Sequence, residues 1–114
     1  MRTHRQIDEL NLALGFAIAQ KLRVHPELFD TVVRPRLSRW RQAAEGGDSA
    51  SRLYLEQWEQ LAVTGIDACL ARVCEDSEQA KALRQASPFA GVLTASERRK
   101  VLRTCRTANE TRRP

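Results

Sequence analysis

An all-α fold, a compact single-domain bundle of five or six helices, is what this 114-residue sequence predicts. Three observations lead there. Apolar residues recur every three or four positions along most of the chain, the spacing that gathers them on one helix face. β-branched residues are scarce beside Ala, Leu, Arg, Glu and Gln, whose side chains lose little freedom in a helix. Only four prolines and five glycines interrupt the chain, and 42% hydrophobic with 29% charged residues is the composition of a folded domain with one core.

The first helix shows Thr3 and Gln6 at capping-box spacing, followed by the stripe Ile7, Leu10, Leu14, Ile18 and Leu22. Ala13, Gly15, Ala17 and Ala19 beside it allow a neighbouring helix to come close. His25-Pro26 ends it, because a residue before proline is pushed out of the helical region. Pro26 suits the first turn of a second helix, whose stripe runs through Leu28, Phe29, Val32, Val33, Leu37 and Trp40 to about Ala44. Pro35 inside it predicts a kink or a break.

The run Glu45-Gly46-Gly47-Asp48-Ser49 reads as a loop, with Asp48 or Ser49 capping a third helix. Leu53 or Tyr54, Trp58, Leu61 and Ala62 form the buried face of that helix. After Thr64-Gly65 come a short fourth helix with Ile66, Cys69, Leu70 and Val73, and a fifth with Ala80, Leu83 and Ala86. Glu75, Asp76 and Ser77 start the fifth, where negative charge meets the partly positive helix end. Ser87–Leu93 is not helical. Thr94 with Glu97 is a second capping box, opening a last helix to about Arg106 with Val101, Leu102 and Cys105 as its apolar positions. The helical domain therefore covers 1–106, and 107–114 reads as a flexible basic C-terminal tail.

No stretch approaches the roughly 18 to 20 apolar residues of a membrane span, so a soluble chain without a membrane partner is expected. The apolar run 12–19 has no cleavage site behind it, which argues against a signal peptide. Three cysteines, Cys69, Cys74 and Cys105, cannot all pair in one chain and point to reduced thiols in a cytoplasm. The net charge of +5 is unevenly spread: residues 1–41 carry eight Lys/Arg and four Asp/Glu, 42–80 two and eight, 81–114 nine and two. Either the basic ends fold back on the acidic middle, or a basic surface awaits an anionic partner.

Catalytic signatures are lacking. The cysteines and the two histidines, His4 and His25, show no paired ligand spacing, so no metal or other cofactor is expected. A serine or cysteine nucleophile needs a base, and neither histidine is suitably placed. Gly46-Gly47 lacks the Lys-Ser/Thr of a phosphate loop. The expectation is a protein that binds, with neither a reaction nor a small-molecule substrate of its own.

Two features suggest what is bound. Arg34, Arg36, Arg39 and Arg41 surround Trp40, and Arg98, Arg99, Lys100, Arg103 and Arg106 line the last helix, a pattern able to follow a phosphate backbone. With 5% aromatic residues a stacking platform for single strands is not expected, and these cations can equally pair with the acidic middle. Ser87–Leu93 is too apolar for an ordinary solvated loop: exposed, Phe89, Val92 and Leu93 would form a contact patch beside a cationic helix; buried, they would close the bundle.

The stretches Leu10-Asn11-Leu12-Ala13, Ile18-Ala19-Gln20-Lys21-Leu22, Leu37-Ser38-Arg39-Trp40 and Ser87-Pro88-Phe89-Ala90-Gly91-Val92-Leu93, with Glu97-Arg98-Arg99, together resemble small helical bacterial proteins on the antitoxin side of two-gene toxin–antitoxin pairs. The resemblance implies an inhibitor that occupies a toxic enzyme encoded by a neighbouring gene. Its implied contacts are Trp40, Ser87, Pro88, Phe89, Gly91, Val92, Leu93, Arg98 and Arg99, with Phe89, Trp40 and the arginines as anchors and Pro88 and Gly91 guiding the backbone. Binding of nucleic acid as a regulator, through the arginine-rich last helix, is the alternative.

Overall fold

Six α-helices and one π-helical turn make up residues 4–45 and 49–111, the part of the chain that the computed structural model describes, with side chains described for 4–45 and 51–105. The helices are α1 His4–Val24, α2 Arg34–Ala44, α3 Ser49–Thr64, α4 Ile66–Val73, α5 Glu78–Gln85 and α6 Ala95–Thr111; the π turn, Phe29–Val33, leads into α2. No strand occurs among these residues, and the all-α bundle is the fold. No described helix is long and apolar enough to cross a membrane. Thr3 of the first capping box and Gly46, Gly47 and Asp48 of the loop lie outside the described residues, as does the side chain of Arg106.

α1 is the axis of the bundle and packs against α4, α5 and α6, while α2 packs on α3. Its most buried line is Gly15, Ala19 and Leu22, with Ile18 against the core and Ile7 41% exposed. The tight face is thus offset from the stripe of large residues, because Gly15 lets another chain segment approach. A Cβ built on Gly15 would lie 2.5 Å from the Val73 carbonyl oxygen at the end of α4. The stripe itself occupies the flanks of that contact, where Leu10 and Leu14 are half-buried.

Pro35 neither breaks the second helix nor leaves it a plain α-helix. The proline has no N–H and its ring crowds the carbonyl four residues back. The preceding turn widens, and the Arg34 N–H reaches the Phe29 carbonyl five residues earlier. Phe29, Val33, Leu37 and Ala44 stay buried on one face across this adjustment. On α3, of the two candidates Leu53 and Tyr54 it is Tyr54 that packs on the core, with Leu53 61% exposed. Leu55, which the sequence reading did not name, is fully buried beside Trp58 and Ala62. Gly65, at φ 140°, separates α3 from α4 with a backbone that other residues rarely adopt.

Both remaining helix starts are capped as their sequences predict. The Ser77 hydroxyl accepts the Ala80 N–H at 3.1 Å. Thr94 and Glu97 cap reciprocally: the Thr94 N–H donates to Glu97 Oε1 at 2.8 Å, and the Glu97 N–H donates to Thr94 Oγ1 at 3.1 Å. Lys21 of α1 donates to the same Glu97 oxygen at 2.5 Å, so the cap also ties α6 to α1. The helix continues past Arg106 to Thr111, taking in residues that the sequence reading assigned to a tail.

Candidate functional site

The segment that joins α5 to α6 is built around two aromatic rings. The last carbonyls of a helix have no partner within it. Trp58 supplies one: its Nε1–H lies 3.1 Å from the Leu83 carbonyl oxygen and 2.7 Å from that of Ala86. Phe89 meets the Trp58 ring edge-on, at 5.1 Å between centroids and 87° between planes. The Phe89 N–H donates to Ser87 Oγ at 3.2 Å and the Val92 N–H to the Phe89 carbonyl at 3.1 Å, with Gly91 at φ 93° turning the chain. Pro88, Phe89 and Val92 are thereby carried into the core, each 2% exposed or less. Of the two alternatives that the sequence left open for this segment, burial is the one found for these three side chains, which close the bundle.

The surface left above them is where the remaining residues gather. One cleft lies between α2 and the end of α5, walled by Arg36, Arg39, Trp40, Gln85, Ala86 and Ser87. A second, between α1 and the start of α6, has Asn11, Leu14, Ile18, Leu93 and Arg98 on its walls and shares Gln85 and Ser87 with the first. Among the described residues, no acidic side chain lines either one. Trp40 is half-buried, its Nε1–H donating to Ser51 Oγ at 3.0 Å, which holds the indole in place. Arg36 Nε and Arg84 Nε, in residues lining the first and second cleft, are shielded from solvent with no hydrogen-bond partner among the described residues. The Arg84 guanidinium is otherwise committed to structure, since its Nη1 donates to the Val73 and Glu75 carbonyls at 3.4 and 2.6 Å.

The arginines divide into two groups. Arg34 pairs with Asp30 at 2.8 Å and lies over the Phe29 ring at 4.9 Å, and Arg41 binds the Glu59 carboxylate, so these two serve the fold. Arg41–Glu59 joins a basic end to the acidic middle, as one of the two sequence readings of the charge pattern expected, while Lys81–Glu78 is a local pair within α5. Arg39, Arg98, Arg99 and Lys100 are exposed and have no acidic partner among the described residues. Arg103 is exposed on the same helix. A third groove, on the outer side of α3, carries Glu56 and Glu59 together with Arg41 and Arg72, a mixed surface without net sign.

The remaining reactive groups show no such convergence. All three cysteines are free; burial pushes the Cys69 thiol up to about 11 and raises that of half-buried Cys74. The His25 imidazole is exposed and lies 3.1 Å from the Glu27 carboxylate. No group of three or more His, Cys, Asp or Glu among the described residues could hold a metal ion.

Fold and surface together define an all-α domain with a pair of basic clefts. Compared with protein-family models, with curated proteins and with solved structures, the chain matches none. Of the nominated contacts, Trp40, Ser87, Leu93 and Arg98 line the two clefts, with exposed Gly91 and the buried Phe89 on the second, and Arg99 is exposed on α6. Asn11 on α1 and the adjacent Gln85 and Ala86 at the end of α5 were missed as site residues, for nothing in the spacing links the two places.

Proposed function

We propose that this protein is a non-enzymatic binding module that docks an acidic surface of a partner protein through the cleft pair at Ser87. The observation that carries this reading is the acid-free lining of both clefts, with arginines on each side and apolar walls between them. Guanidinium groups bind carboxylates through paired hydrogen bonds, and charge complementarity selects partners and speeds encounter. The resemblance to antitoxin-side proteins makes the product of a neighbouring gene, a toxic enzyme to be silenced, the first partner to seek.

Co-expression with neighbouring gene products, followed by pull-down and a growth assay, tests the reading. Arg39→Glu combined with Arg98→Glu is expected to abolish capture and rescue while leaving the fold intact, because both side chains are exposed and have no acidic partner among the described residues. Capture unchanged by this double reversal refutes docking at the clefts. The exposed Arg99 and Lys100 favour a second reading, binding of a nucleic-acid backbone along α6. That reading requires affinity to fall steeply with salt and to drop when Arg99 and Lys100 are replaced by Gln.

A further inference from the structure

The two clefts differ from a phosphate track in a way that specifies their occupant. A nucleic-acid backbone needs a line of cations on an open surface. Here the cations are separated by the Gln85–Ser87 wall, and apolar side chains floor the space: Trp40 and Ala86 on one side, Leu14, Ile18 and Leu93 on the other. Such surface rewards a ligand whose charged and apolar groups alternate. The partner side is equally defined. Among the described residues, Arg39 and Arg98 have no acidic partner, and the shielded Nε–H of Arg36 has no hydrogen-bond acceptor. A buried donor without a partner is costly, so an acceptor that draws this guanidinium into a paired hydrogen bond recovers that cost on binding.

We infer that the clefts bind an extended acidic peptide segment of the partner, lying across Ser87 with one carboxylate at Arg36 and Arg39, another at Arg98, and apolar side chains against Trp40 and Leu93. This rests on the docking reading above and narrows it to a linear acidic and apolar segment. Gln85 and Ser87 offer polar groups to the peptide backbone where it crosses the shared wall.

The test uses the full chain and three fluorescein-labelled probes at physiological ionic strength: a peptide of Glu, Leu and Ser, its counterpart with Gln for every Glu, and a single-stranded oligothymidylate of equal charge. Anisotropy is expected to show saturable one-to-one binding of the Glu peptide only. Arg39→Gln and Arg98→Gln should each weaken it about tenfold, and Arg39→Lys nearly as much, since lysine keeps the charge but not the paired donors. An unlabelled Glu peptide should also protect half-buried Trp40 from acrylamide quenching, against the constant background of fully buried Trp58. Equal binding of the Gln peptide, tighter binding of the oligothymidylate, or indifference to both Gln variants overturns the inference. If the peptide fails while partner capture still depends on Arg39 and Arg98, the linear segment is wrong and the docking surface stands.

Discussion

Truncating Phe89 to alanine separates a core role from an interface role. The ring is 2% exposed and meets Trp58 edge-on at 5.1 Å. Removing a buried phenylalanine ring costs about 3–5 kcal/mol, from lost transfer free energy and the cavity left behind. Of this, roughly 0.5–1.5 kcal/mol belongs to the aromatic pair. A domain of this length has a total stability on the order of 6–17 kcal/mol, so Phe89→Ala should remove a large share of it. Urea unfolding followed by tryptophan fluorescence reads the loss directly. With a slope of about 1–3 kcal/mol per molar urea, the midpoint should fall by at least about 1 M. Trp58→Phe with Phe89→Ala completes a double-mutant cycle, in which coupling should appear because the rings touch. A Phe89→Ala protein within about 0.5 kcal/mol of the parent, well below the loss expected for a core ring, would refute the core assignment and return Phe89 to the surface.

Gly15→Ala sets two effects against each other. Alanine gains about 1 kcal/mol of helix propensity, but its Cβ would sit 2.5 Å from the Val73 carbonyl, and relieving such overpacking costs about 1–3 kcal/mol. Net destabilisation in urea melts is expected; a gain in stability would show that α1 and α4 are not in close contact. Glu97 gives a pH dependence. The Lys21 ammonium, then the Thr94 N–H, lower its carboxyl from the usual 4.5 to about 2. A depressed folded-state value adds stability that is fully present above about 4.5 and lost as pH falls towards 2. Stability measured between pH 6 and 2, roughly the window in which native carboxylates take up protons, should therefore fall less steeply for Glu97→Gln than for the parent. Parallel profiles would rule out the Lys21–Glu97 tie.

Local chemistry was readable wherever a few neighbouring residues suffice. The Thr94–Glu97 box and the Ser77 cap formed as their spacing demands, because a cap is satisfied within one helical turn. The end of α1 before His25-Pro26 followed from proline sterics alone. Pro35 was read as a disturbance, yet its resolution into a π turn depends on keeping Phe29, Val33 and Leu37 on the core side, which is a tertiary demand. Leu53 and Leu55 differ by two positions on one helix. Only the position of the neighbouring helices decides which is buried.

The sequence by itself determined the helical class, most element boundaries and the presence of two arginine groups, since these depend on periodicity, propensity and charge along the chain. Only the tertiary structure decided the fate of Ser87–Leu93, because Trp58, some thirty residues earlier, supplies both the N–H that caps α5 and the ring that receives Phe89. It also decided that Arg41 is committed to Glu59 and that Arg36 and Arg39 line a cleft, whereas the Asp30–Arg34 pair, four residues apart, is local. Burial and pairing are properties of surfaces brought together from distant parts of the chain, and no local pattern encodes which surfaces will meet.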